Sequence, residues 1–527
     1  MRLALPGSAT LGGTQRRLLL AMTAAAVMVQ TLGASFNYIL DDMLRGLGSS
    51  ASQSDFARQM PTVGALLVIF ISGALGQRLG SKRVILACCG FYALGSALVA
   101  VAPSMPMATS GLLLANIGKA ALLVVALASL SATVRDSDGR ATAFAVFSAA
   151  IPFAYLFVPF VAAVIVESAG WRWVTAAWVA SGVMAMVLVW ALVPADTAAS
   201  QPTGEMLTPA LAGLVLALAV ESITQLSQRG PTTAFLLLLA ACAGAIVALV
   251  LAMRRIPNPT LDLAPLRRGN LVLLLVVLVL TLFANLFFYM TMALQYVYRL
   301  SPVDVALAMA PAQLCAVIGA TASGRLVRRW GITTAGSVLM GLVAATLICS
   351  AALRLDSPLW LAVLIVSVYA AAAAGGGVAV TNAVMDTAPP GKEGAASAFR
   401  GAAAGLGTAI GVAGMTSIVI VASSASLHNQ SVKAGIDPSQ STQIARDMAQ
   451  GATSEDASSL YAVPVAEVTE IDDFRRRAYL HGFKAHGLVG GVVTLAAGVM
   501  FFAVRRRQER RSQDVDGVGD DQGAQRQ

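Results

Sequence analysis

Long apolar runs, repeated from one end of the chain to the other, constrain its fold more than any other feature of the sequence. A helix that crosses a bilayer needs about 20 mostly apolar residues. Fourteen runs approach or exceed this length, at 18–40, 61–77, 84–102, 107–134, 141–166, 173–193, 207–225, 234–253, 271–298, 303–326, 332–352, 359–385, 395–424 and 487–504. Only 12% of the 527 residues are charged, whereas about 25% is usual in soluble proteins. The sequence therefore predicts an all-α polytopic membrane protein with fourteen transmembrane helices.

The basic residues assign a side of the membrane to each loop. An even number of spans places both termini on one side. If that side is the cytoplasm, most of the 36 Lys and Arg residues fall in inner segments, as the positive-inside rule requires. We therefore predict a multi-pass protein of the cell (inner) membrane with both termini cytoplasmic. The first span lacks a cleavage-site pattern, so we expect it to be retained.

The runs also suggest two similar halves that are joined by an insert. The predicted domains are a cytoplasmic N-terminus at 1–17, a six-helix bundle at 18–193, two linker helices with their loops at 194–270, a second six-helix bundle at 271–504, and a disordered cytoplasmic tail at 505–527. Within the second bundle, the polar loop 426–483 is extracytoplasmic by parity. The best short helix within this loop is expected at 441–451.

One basic turn occurs twice, about half a chain apart. Residues 72–83 read SGALGQRLGSKR, and residues 323–331 read SGRLVRRWG, so that Ser, Gly, Leu, Arg and Gly recur at the same spacings. The glycines permit close backbone approach, and the cations suit the anionic headgroups of the cytoplasmic leaflet. Such a repeat is typical of an internally duplicated transporter. The residues predicted to act in conformational change or gating are Gly73, Gln77, Arg78, Gly80, Pro159, Gly324 and Arg329.

This turn resembles the loop after the second helix of the major facilitator superfamily. Other stretches resemble the fourteen-helix drug:proton antiporter branch of that superfamily: 170–173 (GWRW), 300–302 (LSP) with 310–311 (AP), and 388–394 (APPGKEG) leading into 401–414. The resemblance covers residues 18 to 505. It implies a major facilitator fold of two six-helix bundles plus two inserted helices. It also implies a secondary active transporter that exports hydrophobic or amphipathic compounds in exchange for protons by alternating access.

The chain departs from that branch where the branch carries its coupling chemistry. The branch usually has an Asp before the Arg of the turn, where this chain has Gln77. The position of its usual first-helix Asp is Gly33, and the position of its fourth-helix Arg lies in the stretch Asn116-Ile117-Gly118-Lys119. In the fifth helix, Pro159 follows a Val rather than the usual Gly. Residues that couple transport to protons must therefore be sought among other side chains.

Lys119 is the strongest of these candidates. It lies about 18 Å of helical rise from the outer end of its span, hence near the bilayer midplane. A charge at that depth costs at least about 2.5 kcal/mol and is a functional candidate. Asn116 precedes it by one turn on the same face. We predict that Lys119 replaces the Arg of the branch, either by titrating or by holding an anionic substrate group. The alternative is a lysine whose ammonium reaches the interface or which stays neutral.

Several polar residues elsewhere are candidates for a cavity wall. Asn285, Tyr289, Met292 and Tyr296 repeat along one face of the ninth span and predict a polar-aromatic stripe, which hydrogen bonding between helices explains nearly as well. Gln30, Tyr155, Gln313 and Asn382 are single polar candidates, and Asp41 and Asp42 follow Asn37 at the outer end of the first span. The substrate and coupling candidates are Lys119, Asn116, Asn37, Asp41, Asp42, Asn285, Tyr289 and Gln313.

No catalytic, cofactor or metal site is predicted, because the five cysteines and three histidines show no ligand spacing and no nucleophile motif surrounds them. In a membrane protein the net charge of +9 has to be read by its location and does not indicate nucleic acid, which is not an expected partner. The expected partners are membrane lipid, a small amphipathic substrate and protons, and the chain is expected to be a monomer. Three alternatives remain: a membrane enzyme, a transporter-derived sensor or scaffold without flux, and a facilitator not coupled to protons.

Overall fold

Helices account for all the regular structure in the described part of the chain. The computed structural model describes residues 12–48, 51–134, 136–194, 205–257, 259–261, 270–300, 302–387, 392–449 and 454–524. In chain order the helices are α1 (Gly13–Gly46), α2 (Ala51–Leu79), α3 (Ser81–Ala100), α4 (Met105–Thr133), α5 (Ser137–Ser148), α6 (Ala150–Ala169), α7 (Trp171–Leu192), α8 (Leu207–Arg229), α9 (Thr233–Arg255), α10 (Asn270–Phe283), α11 (Leu286–Tyr296), α12 (Pro302–Ser350), α13 (Leu359–Asp386), α14 (Glu393–Ala434), α15 (Pro438–Ala449), α16 (Ser454–Tyr461) and α17 (Val465–Ala524).

Helices dominate because a bilayer offers no hydrogen-bond partner to the backbone, which must satisfy itself. Thirteen helical segments in the described residues are long and apolar enough to cross a membrane. One of them, α12, contains two crossings, because its helix is interrupted at Gly331, where φ is +76°. The fourteen predicted spans are therefore confirmed.

The repeated turn in the sequence is also a repeat in the structure. Gly80 ends the first copy with φ of +91°, and Gly331 ends the second with φ of +76°. Only glycine adopts this left-handed region readily. The serine that opens each copy makes an equivalent bond, since the Ser72 hydroxyl donates to the Ile69 carbonyl and the Ser323 hydroxyl donates to the Ala320 carbonyl. Both copies thus end one helix and start the next in the same way.

The helices pack into two bundles. We call α1 to α7 the first bundle, whose core includes the buried side chains of Tyr92, Phe144 and Trp178. We call α10 to α14 with α17 the second bundle, whose core includes Tyr369 and Phe483.

The inserted pair α8 and α9 lies outside the bundles, where α8 packs against both α2 and α14. A Cβ placed on Gly213 of α8 would lie 2.1 Å from the Leu67 carbonyl oxygen of α2, so the two backbones are in direct contact. The Ser227 hydroxyl of α8 donates to the Ala413 carbonyl of α14 at 3.5 Å. Residues before α8 and after α9 also meet, because the Glu205 carboxylate accepts from the backbone N–H of Thr260 at 3.1 Å.

The ninth span is not the single helix that the sequence predicted. It breaks into α10 and α11 at Ala284 and Asn285. The Asn285 side chain caps α11 by accepting from the backbone N–H of Phe287 at 3.1 Å. The Ala284 carbonyl accepts from the Tyr369 hydroxyl at 2.9 Å. Because these partners satisfy backbone groups that the break frees, the interruption is tolerated inside the predicted membrane span.

The fifth span is interrupted at Ala149, where α5 gives way to α6. The cause lies three residues later, because Pro152 has no N–H to donate to the Ser148 carbonyl, and its ring crowds that carbonyl. Pro159, one of the residues predicted to act in conformational change, is buried inside the regular part of α6. Its role in conformational change stays a prediction.

The polar segment before the last span contains the two short helices α15 and α16, which lie close to the position predicted for a short helix. Buried side chains from this segment, including Ile444 and Val468, form a small core of their own with Phe474. At the C-terminal end the structure differs from the predicted disordered tail, since α17 continues to Ala524. The Arg, Gln and Glu residues that follow the span favour helix, and no proline stops it.

Candidate functional site

The two bundles touch at one face of the protein, which we call the terminal face because α1 begins there and α17 leaves its membrane span there. Gly73 of α2 packs directly on Gly394 of α14, and a Cβ placed on Gly73 would lie 2.6 Å from the Gly394 carbonyl oxygen. The Gln77 amide lies beside the same glycine, with Nε2 2.9 Å from where its Cβ would be. Arg78 is half-buried at the end of α2.

The second copy of the turn makes the corresponding contact on the other side of the interface. Gly324 of α12 packs on α5, where a Cβ on Gly324 would lie 3.2 Å from the Cβ of Ala145. The Arg328 guanidinium donates to the Thr142 hydroxyl of α5. Arg328 occupies the position of Gln77 in the repeat, whereas Arg329, the residue that the sequence predicted for gating, is exposed. The side chain that reaches the other bundle is therefore Arg328, the neighbour of the predicted Arg329.

An ion cluster joins the bundles at the same face. The Arg140 guanidinium at the start of α5 pairs with the Asp386 carboxylate at the end of α13. The Arg505 guanidinium of α17 lies 3.6 Å from the other oxygen of this carboxylate. All three side chains are largely buried. This cluster holds the first bundle against the second at the terminal face.

Two cavities lie between the bundles, next to these contacts. One of about 280 Å³ lies between α1, the α5–α6 junction and α12, and Val317 and Thr321 line it. The other, of about 300 Å³, is enclosed by helices of both bundles and has mostly apolar walls. Arg400 of α14 is the charged residue in its lining, and the Arg400 Nε donates to the Thr381 hydroxyl at 2.9 Å. No carboxylate of the described residues pairs with Arg400.

Lys119 lies in a polar cluster built by three helices of the first bundle. A Cβ placed on Gly33 of α1 would lie 3.4 Å from the Lys119 ammonium, 3.2 Å from the Tyr155 hydroxyl and 3.5 Å from the Gln30 amide oxygen. These three polar groups therefore converge on the bare backbone of Gly33. Within the described part of the chain, the ammonium forms no ion pair. A carboxylate side chain at position 33, where the resemblance places an Asp, would sit beside this ammonium, and the glycine leaves that space empty.

Two other polar candidates of the first bundle, Asn116 and Asp42, make their hydrogen bonds outside this cluster. The Asn116 side chain is buried and donates to the Leu112 carbonyl of its own helix at 2.9 Å. Asp42 pairs with Arg45 at 2.5 Å, on the exposed end of α1. The side chains of Asn37 and Asp41 lie outside the described residues. Lys119 thus lies among polar groups of other helices, together with the single candidates Gln30 and Tyr155.

The candidates of the second bundle are divided between its core and the cavities. Tyr289 is buried in the bundle core, where its hydroxyl lies 3.0 Å from the Thr416 hydroxyl and its ring lies 4.2 Å from the ring of His486. Asn285 is the cap of α11, so the stripe predicted along the ninth span is not continuous. Gln313 is half-buried and precedes by one turn of α12 the residue Val317, which lines the smaller cavity.

Sequence reasoning missed Arg400 and the Arg140–Asp386 pair as parts of the interface. Arg400 lies inside the thirteenth predicted span, and an arginine within an apolar run is a signal that was available. The pair joins residues 246 positions apart, so only the fold brings them together. Gln30 and Tyr155 were single candidates, and the structure places both beside Lys119.

Comparison with known proteins decides the family. Residues 18–412 match the model of the Major Facilitator Superfamily, which is most of the chain. The chain belongs to the major facilitator superfamily. This major facilitator protein is therefore a multi-pass membrane transporter and not an enzyme, as the sequence predicted.

Individual members of the superfamily are similar along most of their length. Identity is 26% over 446 residues to the methyl viologen resistance protein SmvA of Salmonella typhimurium, covering 83% of this chain and 88% of that protein. It is 26% over 454 residues to the multidrug efflux pump LfrA of Mycolicibacterium smegmatis, covering 84% and 86%. The human organic anion transporter MFSD10 shares the fold with a TM-score of 0.60 at 14% identity, covering 92% of this chain and 99% of that one.

Proposed function

We propose that this major facilitator protein exports drug-like amphipathic compounds across the cell membrane in exchange for protons, by alternating access. The proposal is carried by the cavities between the bundles, which the Gly73–Gly394 contact and the Arg140–Asp386 pair close at the terminal face. The similarity to resistance and efflux proteins supports drug-like compounds as the substrate class. A cavity with apolar walls and a few polar groups suits such molecules.

The arrangement corresponds to one end state of the transport cycle. With both termini in the cytoplasm, as the basic residues favour, the terminal face is the cytoplasmic face and the passage is closed to the cytoplasm. Tyr155, which lies beside Lys119, is 37% exposed. In the proposed cycle the passage is then open toward the outside. Rocking of the two bundles about the cavities would then open the terminal face and close the other.

Lys119 is the proposed coupling residue. Its ammonium lies near the predicted midplane, half-buried, and lacks a carboxylate partner among the described residues. A group in this position can lose its proton to one side of the membrane and regain it from the other as the bundles rock. Binding of substrate and of the proton would then depend on each other through one side chain.

The test is flux in proteoliposomes of purified protein, with and without an imposed pH gradient. We expect dye export that depends on the gradient in wild type and in Lys119→Arg, and loss of that flux in Lys119→Ala. Lys433→Ala, at an exposed site near the end of α14, is the matched control and should behave as wild type. Flux that ignores the gradient would indicate a facilitator, and no flux with a broad panel of dyes would indicate a sensor or scaffold.

A further inference from the structure

Two cations lie at different depths of the protein, one from each bundle. Lys119 comes from α4 of the first bundle, and Arg400 comes from α14 of the second. Neither side chain is paired with a carboxylate in the part of the chain that the structure describes. The carboxylates of Asp42 and Asp386 are engaged elsewhere, by Arg45 and by Arg140.

The two cations lie on helices that border one cavity. The cavity of about 300 Å³ is lined by Arg400 at one side and by Ala120, the neighbour of Lys119, at another. Ala26 of α1 also lines it. Gln30, which contacts the Lys119 cluster, lies one turn along the same face of α1, about 6 Å of helical rise away. The cavity that holds Arg400 therefore borders α1 and α4 on the terminal-face side of the Lys119 cluster.

The remaining walls of this cavity are apolar, with a few hydroxyl groups. Large apolar side chains from four helices surround the space: Ile69, Leu123, Val124, Leu127, Phe147 and Ile151. The hydroxyls of Ser148, Thr381 and Ser397 also line it. In such surroundings water screens charge poorly, so a cation without a partner strongly favours an anion. A guanidinium adds a planar pair of donors that matches a carboxylate or sulfonate.

We propose that the transported compound is an amphipathic organic anion, whose carboxylate or sulfonate binds Lys119 and then Arg400 while its apolar body contacts the cavity walls. This inference rests on the proposed function as an exporter and specifies its substrate class. Gly33 is part of the same arrangement, because a carboxylate there would neutralise Lys119 and compete with the anion. A cationic compound would be repelled by both Lys119 and Arg400, so its binding is disfavoured.

The test uses three probes that share one fluorophore and differ in charge: dansylglycine (anionic), dansylamide (neutral) and dansylcholine (cationic). Binding to purified protein in nanodiscs is followed by the fluorescence of the dansyl group. We expect wild type to bind the anion most tightly. Lys119→Gln and Arg400→Gln should each weaken anion binding by about tenfold or more, because each removes a charge-assisted hydrogen bond. Lys119→Arg and Arg400→Lys should largely retain it, and Lys119→Glu should reverse the preference in favour of the cation.

Retained dansylamide binding shows that each variant is folded, and Lys433→Gln, at an exposed site, controls for loss of a surface charge. Equal affinity for anion and cation in wild type, or an unchanged preference in both Gln variants, would overturn the inference. Flux of the same probes in proteoliposomes separates it from the proposed function. Export of the cation but not the anion would overturn the inference and leave the exporter in place. Anion binding without flux of any probe would overturn the exporter and leave the anion site in place.

Discussion

His486 is wholly buried in the second bundle, and neither of its ring nitrogens has a hydrogen-bond partner among the described residues. The ring packs between Tyr289 and Phe483, at centroid distances of 4.2 and 6.1 Å. A buried polar group without a partner costs about 1–3 kcal/mol. The imidazole thus packs here as an apolar ring would, and its two nitrogens lower the stability of the folded protein.

We therefore expect His486→Phe to raise the stability of the protein by about 1 kcal/mol, because the phenyl ring keeps the shape and removes both orphaned nitrogens. The measurement is the unfolding midpoint in detergent. His481→Phe, at an exposed site five residues earlier, should change it little. A lower midpoint in His486→Phe would show that the nitrogens have a partner, such as a bound water.

The residues that could be predicted from the sequence are those whose chemistry conflicts with an apolar run. Lys119 stands out because a charge at the midplane is costly. That Gln30, Tyr155 and Gly33 surround Lys119 could not be deduced, since α1, α4 and α6 meet only in the folded bundle. Arg400 does not stand out in the same way, because it lies near the start of its run, where a basic residue is ordinary.

The α2–α14 contact is the closest approach between helices of the two bundles that involves a predicted gating residue. The Gly73 and Gly394 backbones are so near that a Cβ on either glycine would lie under 3 Å from the carbonyl oxygen of the other. No side chain fits here without separating the helices. In the proposed cycle this contact therefore belongs to the state that is closed at the terminal face.

We expect Gly73→Leu to prevent this closure and to reduce flux at least about tenfold, because the added side chain must displace backbone rather than a mobile side chain. The protein should still fold, since the open state does not need the contact. Flux and the unfolding midpoint are the measurements. Gly90→Leu on α3 is the matched control, because a Cβ on Gly90 has nothing within 4 Å. Wild-type flux in Gly73→Leu would show that closure does not require this contact.

At the level of elements, the spans could be predicted because lipid leaves the backbone no alternative to a helix. The break in the ninth span could not. The run 271–298 contains neither proline nor glycine. The break depends on the Asn285 cap and on the Tyr369 hydroxyl, which comes from α13, a separate part of the chain. A partner from another helix thus decides where this one ends.

At the terminal face one carboxylate, that of Asp386, holds the two bundles together through contacts with basic side chains. Asp386 of α13 lies between Arg140 of α5 and Arg505 of α17. Its side chain is 21% exposed and that of Arg140 is 17% exposed, so water screens the pair only partly. Without this carboxylate the two guanidinium groups would repel each other across the interface.

Asp386→Asn should therefore shift the protein toward the state that is open at the terminal face. A loss of about 1–2 kcal/mol from the closed state changes the ratio of the two states by about 5–30-fold. The measurement is labelling of a Ser148→Cys reporter in the cavity, in a background without native cysteines, in inside-out vesicles. Labelling should become several-fold faster. Asp42→Asn, which removes the carboxylate of an exposed pair at the other end of α1, should have no effect.

Because α8 packs on one side of the molecule, the two lateral faces that contact lipid differ from each other. The internal repeat builds two similar lateral seams, one between α2 and α14 and one between α5 and α12. α8 packs across the first seam through Gly213 and Ser227, and α9 packs on α8. A compound dissolved in the bilayer therefore meets two additional helices before it reaches that seam. Although the repeat makes the two lateral seams alike, the inserted helices cover one of them and limit the access of lipophilic molecules to it.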